Sequence, residues 1–277
     1  MTVRLRLKTG YPPERAITVL REAAQRAREI GDPDPDRAFN TYRAWVEATE
    51  TQLASLTVDP AAVTMLLTRR HFLIHDIGPN PYRLWGSLYA ERDFQAAALD
   101  ALAADLQTRV DRAAGDGEPV VLDTNVLLHY ELPDNVPWAK VLGRASVRLV
   151  VPLRVVEELD EKKYGRNDLL ASRARNLLPW LERAVTTNGG RIRDDATLEV
   201  PVDTSRRTRP ESADREILDE CHELHEFGGQ GVTLVTGDTS MRLRARAESI
   251  VAVSMPDDYR RTFSPGASET SPADASG

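Results

Sequence analysis

The sequence has little cysteine and no long apolar run. Its 277 residues include one cysteine, Cys221, which excludes an internal disulfide and a thiolate zinc cluster. No stretch approaches the ~18–20 apolar residues that a membrane helix needs. The first residues, MTVRLRLKTGYPPE, lack the apolar core of a signal peptide. These absences predict a chain that works in the reducing cytoplasm, away from membranes.

An excess of positive charge is also missing. The chain has 36 Lys+Arg against 43 Asp+Glu, a net charge of -7, so any contact with nucleic acid must be local. Lysine is scarce, and nearly all the basic residues are arginine. Arginine suits planar recognition of phosphate, but this preference equally reflects a GC-rich coding bias.

Hydrophobic periodicity divides the chain into two classes of structure. Helical spacing runs from residue 12 to 114, with a stripe of Phe94, Ala98, Leu102, Leu106 and Val110 near its end. The segment RAAGDGEP then interrupts the pattern with Gly, Asp and Pro. We therefore expect an all-helical domain over residues 1–114, whose role the sequence does not reveal, and a second domain over 115–262. The Pro-, Ser- and Gly-rich end, 263–277, is typical of a disordered tail.

The second domain alternates short aliphatic runs with helical stretches. The runs are PVVLDT, VRLVVP, VTLVTGD and SIVAVS. Strands that are aliphatic on both faces belong in a parallel sheet covered by helices on either side. The expected fold class is α/β, with a central parallel sheet flanked by helices.

Four acidic residues stand out by position. Asp123 and Asp238 each end a predicted strand, and ligands of open parallel sheets gather at that edge. Helical phase selects two more: Glu158 lies at the border of its helix's apolar face, and Asp214 is in line with apolar residues at i+3, i+4 and i+7. By the same phase, Glu216, Asp219, Glu220 and Glu223 form a solvated face.

Four carboxylates at one edge of a sheet predict a cation site. Oxygen-only ligands select hard ions, here Mg²⁺ or Mn²⁺, and such ions can activate a water for hydrolysis of a phosphodiester. Each acid also has a simpler interpretation taken alone, as a turn former, a helix cap, a complement to a helix dipole or a surface residue. The joint pattern favours the catalytic one.

These residues lie in segments that resemble the PIN domain ribonucleases. The similar segments are VVLDTNVLLHY, VVPLRVVEELDEKKYGRND with ASRARNLLPWLE, SADREIL and LVTGDTSMRLRARA, over about residues 119–259. The resemblance implies a Rossmann-like PIN domain and maps the family's acidic quartet onto Asp123, Glu158, Asp214 and Asp238. It also implies metal-dependent cleavage of single-stranded RNA, with a minority of family members cutting DNA. The helical N-terminal part has no counterpart in minimal toxin-type PIN proteins.

Polar and basic residues near the quartet complete the predicted site. Thr124, Asn125 and Thr236 are expected to orient the carboxylates, although each alone could be a turn or capping residue. Arg206, Arg207, Arg209 and Arg242 are candidate contacts to the RNA backbone. A solvated arginine-rich loop is the alternative interpretation of the first three.

The sequence leaves three functions open. The first is an endoribonuclease that uses Mg²⁺ or Mn²⁺ as a cofactor and a metal-activated water. The second is a nuclease toxin or defence effector that an inhibitory protein partner controls. The third is a non-catalytic RNA-binding or interaction module with a structural metal site. Self-association into a homo-oligomer is compatible with each.

Overall fold

The computed structural model of the chain describes residues 5–201 and 212–261. The arginines predicted to contact RNA at positions 206, 207 and 209, and the predicted tail 263–277, lie outside this part. The described residues divide into two compact units. The first contains the residues up to Gly115 together with 222–230, and the second contains 116–201, 212–221 and 231–261.

The first unit is helical, as its periodicity predicted. Its helices are α1 (Pro13–Arg28), α2 (Pro35–Leu56), α3 (Pro60–Thr64), α4 (Arg69–Ile77) and α5 (Leu84–Ala113). Aspartate caps followed by proline start two of them: Asp34 accepts a hydrogen bond from the N–H of Asp36, and Asp59 from the N–H of Ala61. This is a frequent helix start, because proline fixes φ in the first turn and the carboxylate satisfies an unpaired N–H.

Helix α5 buries only part of the face that its apolar stripe predicted. Leu102 and Leu106 of the predicted stripe are buried, whereas Phe94 is 54% exposed. The buried face instead contains two polar residues, Glu91 and Gln95, both at 0% exposure. The two are bonded to each other, since Gln95 Nε2 donates to Glu91 Oε1 at 2.7 Å. A hydrophobic pattern cannot reveal a core face that includes a carboxylate and an amide.

A buried arginine anchors the end of α5 within the same unit. Arg109 is 8% exposed. Its Nε lies 3.2 Å from Glu223 Oε1, and its Nη1 donates to the carbonyl oxygen of Leu5 at 2.7 Å. The guanidinium also stands over the ring of Phe227, 4.1 Å from its centroid. The prediction that Glu220 and Glu223 are solvated was wrong, because each is only 6% exposed.

The second unit is a helix-flanked α/β sheet, which confirms the expected fold class. Its strands are β1 (Glu118–Leu122), β2 (Val147–Val150), β3 (Arg191–Arg193), β4 (Ala196–Glu199), β5 (Thr233–Val235) and β6 (Val251–Val253). They lie in the order β3-β4-β2-β1-β5-β6. All neighbouring pairs are parallel except β3 with β4.

The helices of the second unit connect these strands. They are α6 (Thr124–His129), α7 (Trp138–Leu142), α8 (Leu153–Lys162), α9 (Asp168–Thr186), α10 (Ala213–Gly228) and α11 (Thr239–Ala247). The last residues of α10, from His222 onward, belong to the first unit. Because β1 and β5 are parallel neighbours, the residues that follow them, at the start of α6 and α11, meet at one edge of the sheet.

No helix in the described ranges is both long and apolar enough to cross a bilayer.

Candidate active site

Asp123 occupies the centre of the carboxyl edge. It follows β1 directly and precedes the first residue of α6. Its backbone N–H donates to the carbonyl oxygen of Val235 at 3.1 Å, which extends the pairing of β1 with β5. The residue is only 6% exposed, and its Oδ2 accepts a hydrogen bond from Thr236 Oγ1 at 2.7 Å. A buried strand thus holds a carboxylate rigidly at the sheet edge.

The surroundings of Asp123 disfavour its charged form. Burial raises the pKa of its carboxyl, and the negative charges of Glu158 and Asp214 raise the pKa further. The hydrogen bonds from Thr236 and from the backbone at Thr124 act in the opposite direction. The balance leaves the pKa above its ordinary value, which indicates a carboxylate whose negative charge the protein only partly compensates.

Glu158, on α8, faces the same centre. Its Oε2 accepts a hydrogen bond from Thr124 Oγ1 at 2.5 Å. Its Oε1 lies 3.8 Å from Arg154 Nε, and its side chain is 22% exposed. Thr124 therefore links the first turn of α6 to α8, and the orienting role predicted for it stays a prediction. Asn125, the next residue, is exposed, and its predicted role stays a prediction.

Asp238 caps helix α11. Its Oδ1 accepts hydrogen bonds from the N–H groups of Ser240 and Met241 at 2.7 and 3.3 Å. Its own N–H donates to Thr236 Oγ1 at 3.0 Å. The hydroxyl of Thr236, fully buried, therefore connects Asp238 to Asp123. Asp238 is thus a helix cap that shares the Thr236 hydroxyl with Asp123.

Asp214 is paired with an arginine that the sequence did not single out. Arg244 Nη1 donates to Asp214 Oδ2 at 2.9 Å, and the two side chains are 55% and 39% exposed. Arg244 belongs to α11, where Arg242 and Arg246 also lie. At 3.6 residues per turn Arg246 stands about 40° from Arg242, and Arg244 about 160° from it. This phase puts Arg244 on a different side of the helix from Arg242 and Arg246, but it does not identify Asp214 as the partner.

The four predicted acids thus come from four segments of one unit, although they do not form a ready cage. Among residues 5–201 and 212–261, no three acidic, histidine or cysteine side chains are grouped so that they could hold one metal ion. Asp214 is turned to Arg244, and Asp238 to the N–H groups of its helix. The quartet as a set of metal ligands therefore stays a prediction.

The chemistry of these donors nevertheless suits a hard cation. All the donors are carboxylate or hydroxyl oxygens, which Mg²⁺ and Mn²⁺ prefer. The negative charges of Glu158 and Asp214 act on the buried Asp123. A divalent cation between them would relieve that repulsion.

Acidic residues at the carboxyl edge of a helix-flanked parallel sheet lie where open α/β sheets bind their ligands. Among known protein families, residues 120–256 match the model of the PIN domain. The C-terminal part of the chain is a PIN domain, and PIN domains are a nuclease-type family that typically uses divalent metals. No curated protein matches the chain.

Thr236 should be important for the stability of this edge. Thr236→Val removes the donor to Asp123 and the acceptor for the N–H of Asp238, and a buried group left without its partner costs about 1–3 kcal/mol. We expect the free energy of unfolding, measured by urea denaturation, to fall by that amount. Thr236→Ser keeps the hydroxyl and serves as the control. Equal stability of the valine variant and the parent would show that these hydrogen bonds are replaceable.

Proposed function

We propose that the PIN domain of this chain is an endoribonuclease that hydrolyses phosphodiester bonds of single-stranded RNA with Mg²⁺ or Mn²⁺. The observation that carries this proposal is the placement of Asp123. A carboxylate that is 6% exposed, with two further acids close enough to raise its pKa, is costly for the fold. Such a cost is typical of functional sites, where charge is retained for binding or catalysis.

Each residue of the site has a proposed role. Asp123, Glu158, Asp214 and Asp238 would hold the cation. Once bound, the cation would supply positive charge at the phosphate and make a nearby water a better nucleophile. Thr236 and Thr124 fix the orientation of the carboxylates of Asp123 and Glu158, because each donates its hydroxyl hydrogen to one of them.

Arg244 is placed to respond to substrate. Its ion pair with Asp214 is exposed, so the pair is weak and open to exchange. A phosphate of the RNA would offer the guanidinium an equivalent partner. Exchange of Asp214 for phosphate would free the carboxylate to join the other acids.

A second candidate is a non-catalytic RNA-binding module in which the acids are structural. The specific observation in its favour is that Asp238 caps α11 and Asp214 is paired with Arg244. The third candidate, a toxin or defence effector, uses the same chemistry under the control of a partner. Growth arrest on expression that Asp123→Asn abolishes would favour it.

The decisive experiment compares the parent with Asp238→Asn on labelled single-stranded RNA, with Mg²⁺ or Mn²⁺ and with chelator. Asparagine is as good a helix cap as aspartate, so this change removes charge and preserves the fold. We expect metal-dependent cutting by the parent, with 5′-phosphate and 3′-hydroxyl ends found by sequencing. We expect a loss of at least about tenfold in the variant.

The matched control is Asp194→Asn, at an exposed position in the turn between β3 and β4. It should cut RNA at the parental rate. Equal rates for the parent and Asp238→Asn would remove Asp238 from the site. Metal-dependent stabilisation with no turnover of any RNA would instead support the non-catalytic module.

A further inference from the structure

A groove runs between helix α11 and the edge strand β6 of the second unit. Its volume is about 540 Å³, which lies in the range of small-molecule binding clefts. Its lining includes Thr239, Arg242, Leu243, Arg246, Val251 and Ala252. Thr239 is the residue after Asp238, so the groove begins beside the candidate active site.

Two arginines line one wall of the groove. Arg242 is fixed near its mouth, because its Nη1 donates to the carbonyl oxygen of Thr236 at 3.1 Å and its Nη2 to Thr239 Oγ1 at 2.9 Å. Arg246 lies one turn further along α11 and is exposed. It makes no ion pair with a carboxylate in the described part of the chain. The four residues that separate them rise about 6 Å along the helix, so the pair presents two cations in a row that leads away from Asp238.

The groove also exposes two large aliphatic side chains. Leu243 is 64% exposed and Val251 is 55% exposed, and both line the groove. Apolar surface beside a row of cations suits a ligand with a flat apolar face and a negatively charged backbone. A nucleotide has both, in its base and its phosphate.

We propose that the groove between α11 and β6 binds one nucleotide of the substrate strand, next to the scissile phosphate. Arg246 contacts its phosphate, and Leu243 and Val251 contact its base. Contacts of this kind position the strand with little reading of sequence. This inference rests on the proposed function, because it assumes that an RNA strand is cut beside Asp238. The strand would then run from Asp238 along the groove.

An acidic peptide added as a strand beside β6 is the competing occupant. Two features favour the nucleotide. The groove starts at the residue that follows Asp238, and its cations come from the helix that Asp238 caps. In addition, β6 has only three residues, which offers a peptide few backbone hydrogen bonds.

The test measures binding of a fluorescent ten-nucleotide oligouridylate to the full-length Asp123→Asn chain, which is expected not to cut it. In this background we expect Arg246→Ala to weaken binding about threefold to tenfold, and to reduce the slope of log K against log salt by about 0.7, the value for one phosphate of a single strand. Leu243→Glu, which places a negative charge in the groove, should weaken binding at least about tenfold.

The matched control is Arg191→Ala. Arg191 is exposed on β3, the opposite edge of the same sheet, and its removal should leave both affinity and salt slope unchanged. As a positional readout, 4-thiouridine beside the cleavage site should crosslink to the peptide that contains Leu243. A crosslink confined to this peptide would place the base in the groove, whereas a general charge effect would not favour one position.

The outcomes separate this proposal from the proposed function. Binding by Arg246→Ala and Leu243→Glu that equals the parent would overturn the groove assignment, even if RNA is cut. Groove-dependent binding without cleavage by the active chain would support the groove and overturn the nuclease. An oligonucleotide that does not bind at all would overturn the groove assignment, and the cleavage assay with the active chain then decides the nuclease separately. Polyglutamate serves as a model of an acidic peptide. If its binding depends on Arg246 and Leu243 and the binding of RNA does not, the groove binds protein and the nucleotide assignment is overturned.

Discussion

Asp123→Asn is expected to reduce the rate of RNA cleavage by about 10²-fold or more, which corresponds to about 2.7 kcal/mol or more at 1.36 kcal/mol per tenfold. Asparagine keeps the shape of the side chain, and its carbonyl oxygen can still accept the hydrogen bond from Thr236. The variant loses only the charge that the cation and its water require. Initial rates on labelled RNA at saturating Mn²⁺ measure the effect.

The same change is expected to stabilise the metal-free protein at neutral pH. The pKa of Asp123 is raised in the folded chain, first by burial. Its stabilising contribution is therefore complete below the ordinary pKa of an aspartate and is lost as the pH rises through the raised value. At pH 7 the parent bears the full cost of a buried charge, which asparagine avoids. The difference in melting temperature should shrink toward acidic pH.

Melting curves in chelator and in Mn²⁺ check this prediction. Mn²⁺ should raise the melting temperature of the parent, because it binds the folded state, and should have little effect on Asp123→Asn. Asp194→Asn again provides the control. If Asp123→Asn is less stable than the parent in chelator at neutral pH, the buried charge of Asp123 does not destabilise the metal-free protein.

Arg109→Ala is expected to lower the free energy of unfolding of the helical unit by about 2–4 kcal/mol. Removal of one partner of a buried ion pair usually costs about 3–5 kcal/mol. The loss is smaller here because Glu223 keeps a second partner, Arg112, whose Nη2 lies 2.6 Å from Glu223 Oε1. The variant also loses the hydrogen bond to the carbonyl oxygen of Leu5 and the contact with Phe227. Urea denaturation followed by circular dichroism at helix wavelengths measures the change.

Two further variants separate charge from packing at this position. Arg109→Met retains most of the buried stem and should recover the packing part of the loss. Arg15→Ala, at an exposed position on α1, should change stability by less than about 0.5 kcal/mol. If Arg109→Ala unfolds at the same urea concentration as Arg15→Ala, the buried arginine does not stabilise the unit.

Strands β1, β2 and β5 could be predicted because each is a largely aliphatic run in the buried centre of the sheet. The aliphatic run of β6 was recognised in the same way, although β6 is an edge strand and its Val251 is 55% exposed. The hairpin of β3 and β4 was missed, since RIRDDATLE has charged residues throughout and no aliphatic run. Its turn contains Asp194 and Asp195, and aspartate is a residue type that favours turns. In the helical unit, Glu91, Gln95 and Arg109 are buried through long-range hydrogen bonds that no periodicity encodes.

The acids of the site were selected by two local rules, strand ends and helical phase. The rules chose Glu158, which accepts a hydrogen bond from Thr124, over Glu157. Arg154 lies 3.6 Å from the Glu157 carboxylate and 3.8 Å from that of Glu158. The rules could not foresee the pairing of Asp214 with Arg244, because it joins residues 30 positions apart on two helices. Contacts between segments depend on the packing of α10 and α11, which the sequence of either alone does not contain.

The two edges of the sheet have a consequence for how this domain can change in evolution. Strand β3 presents Arg191 and Arg193 at one edge, and at the other β6 ends after three residues, before Pro256. Short and charged edges resist pairing with strands of other molecules, and so protect the sheet from aggregation. The same features make it hard to extend the sheet by a further strand at either edge. New specificity would therefore arise more easily by lengthening the loops beside Asp123 and Asp238.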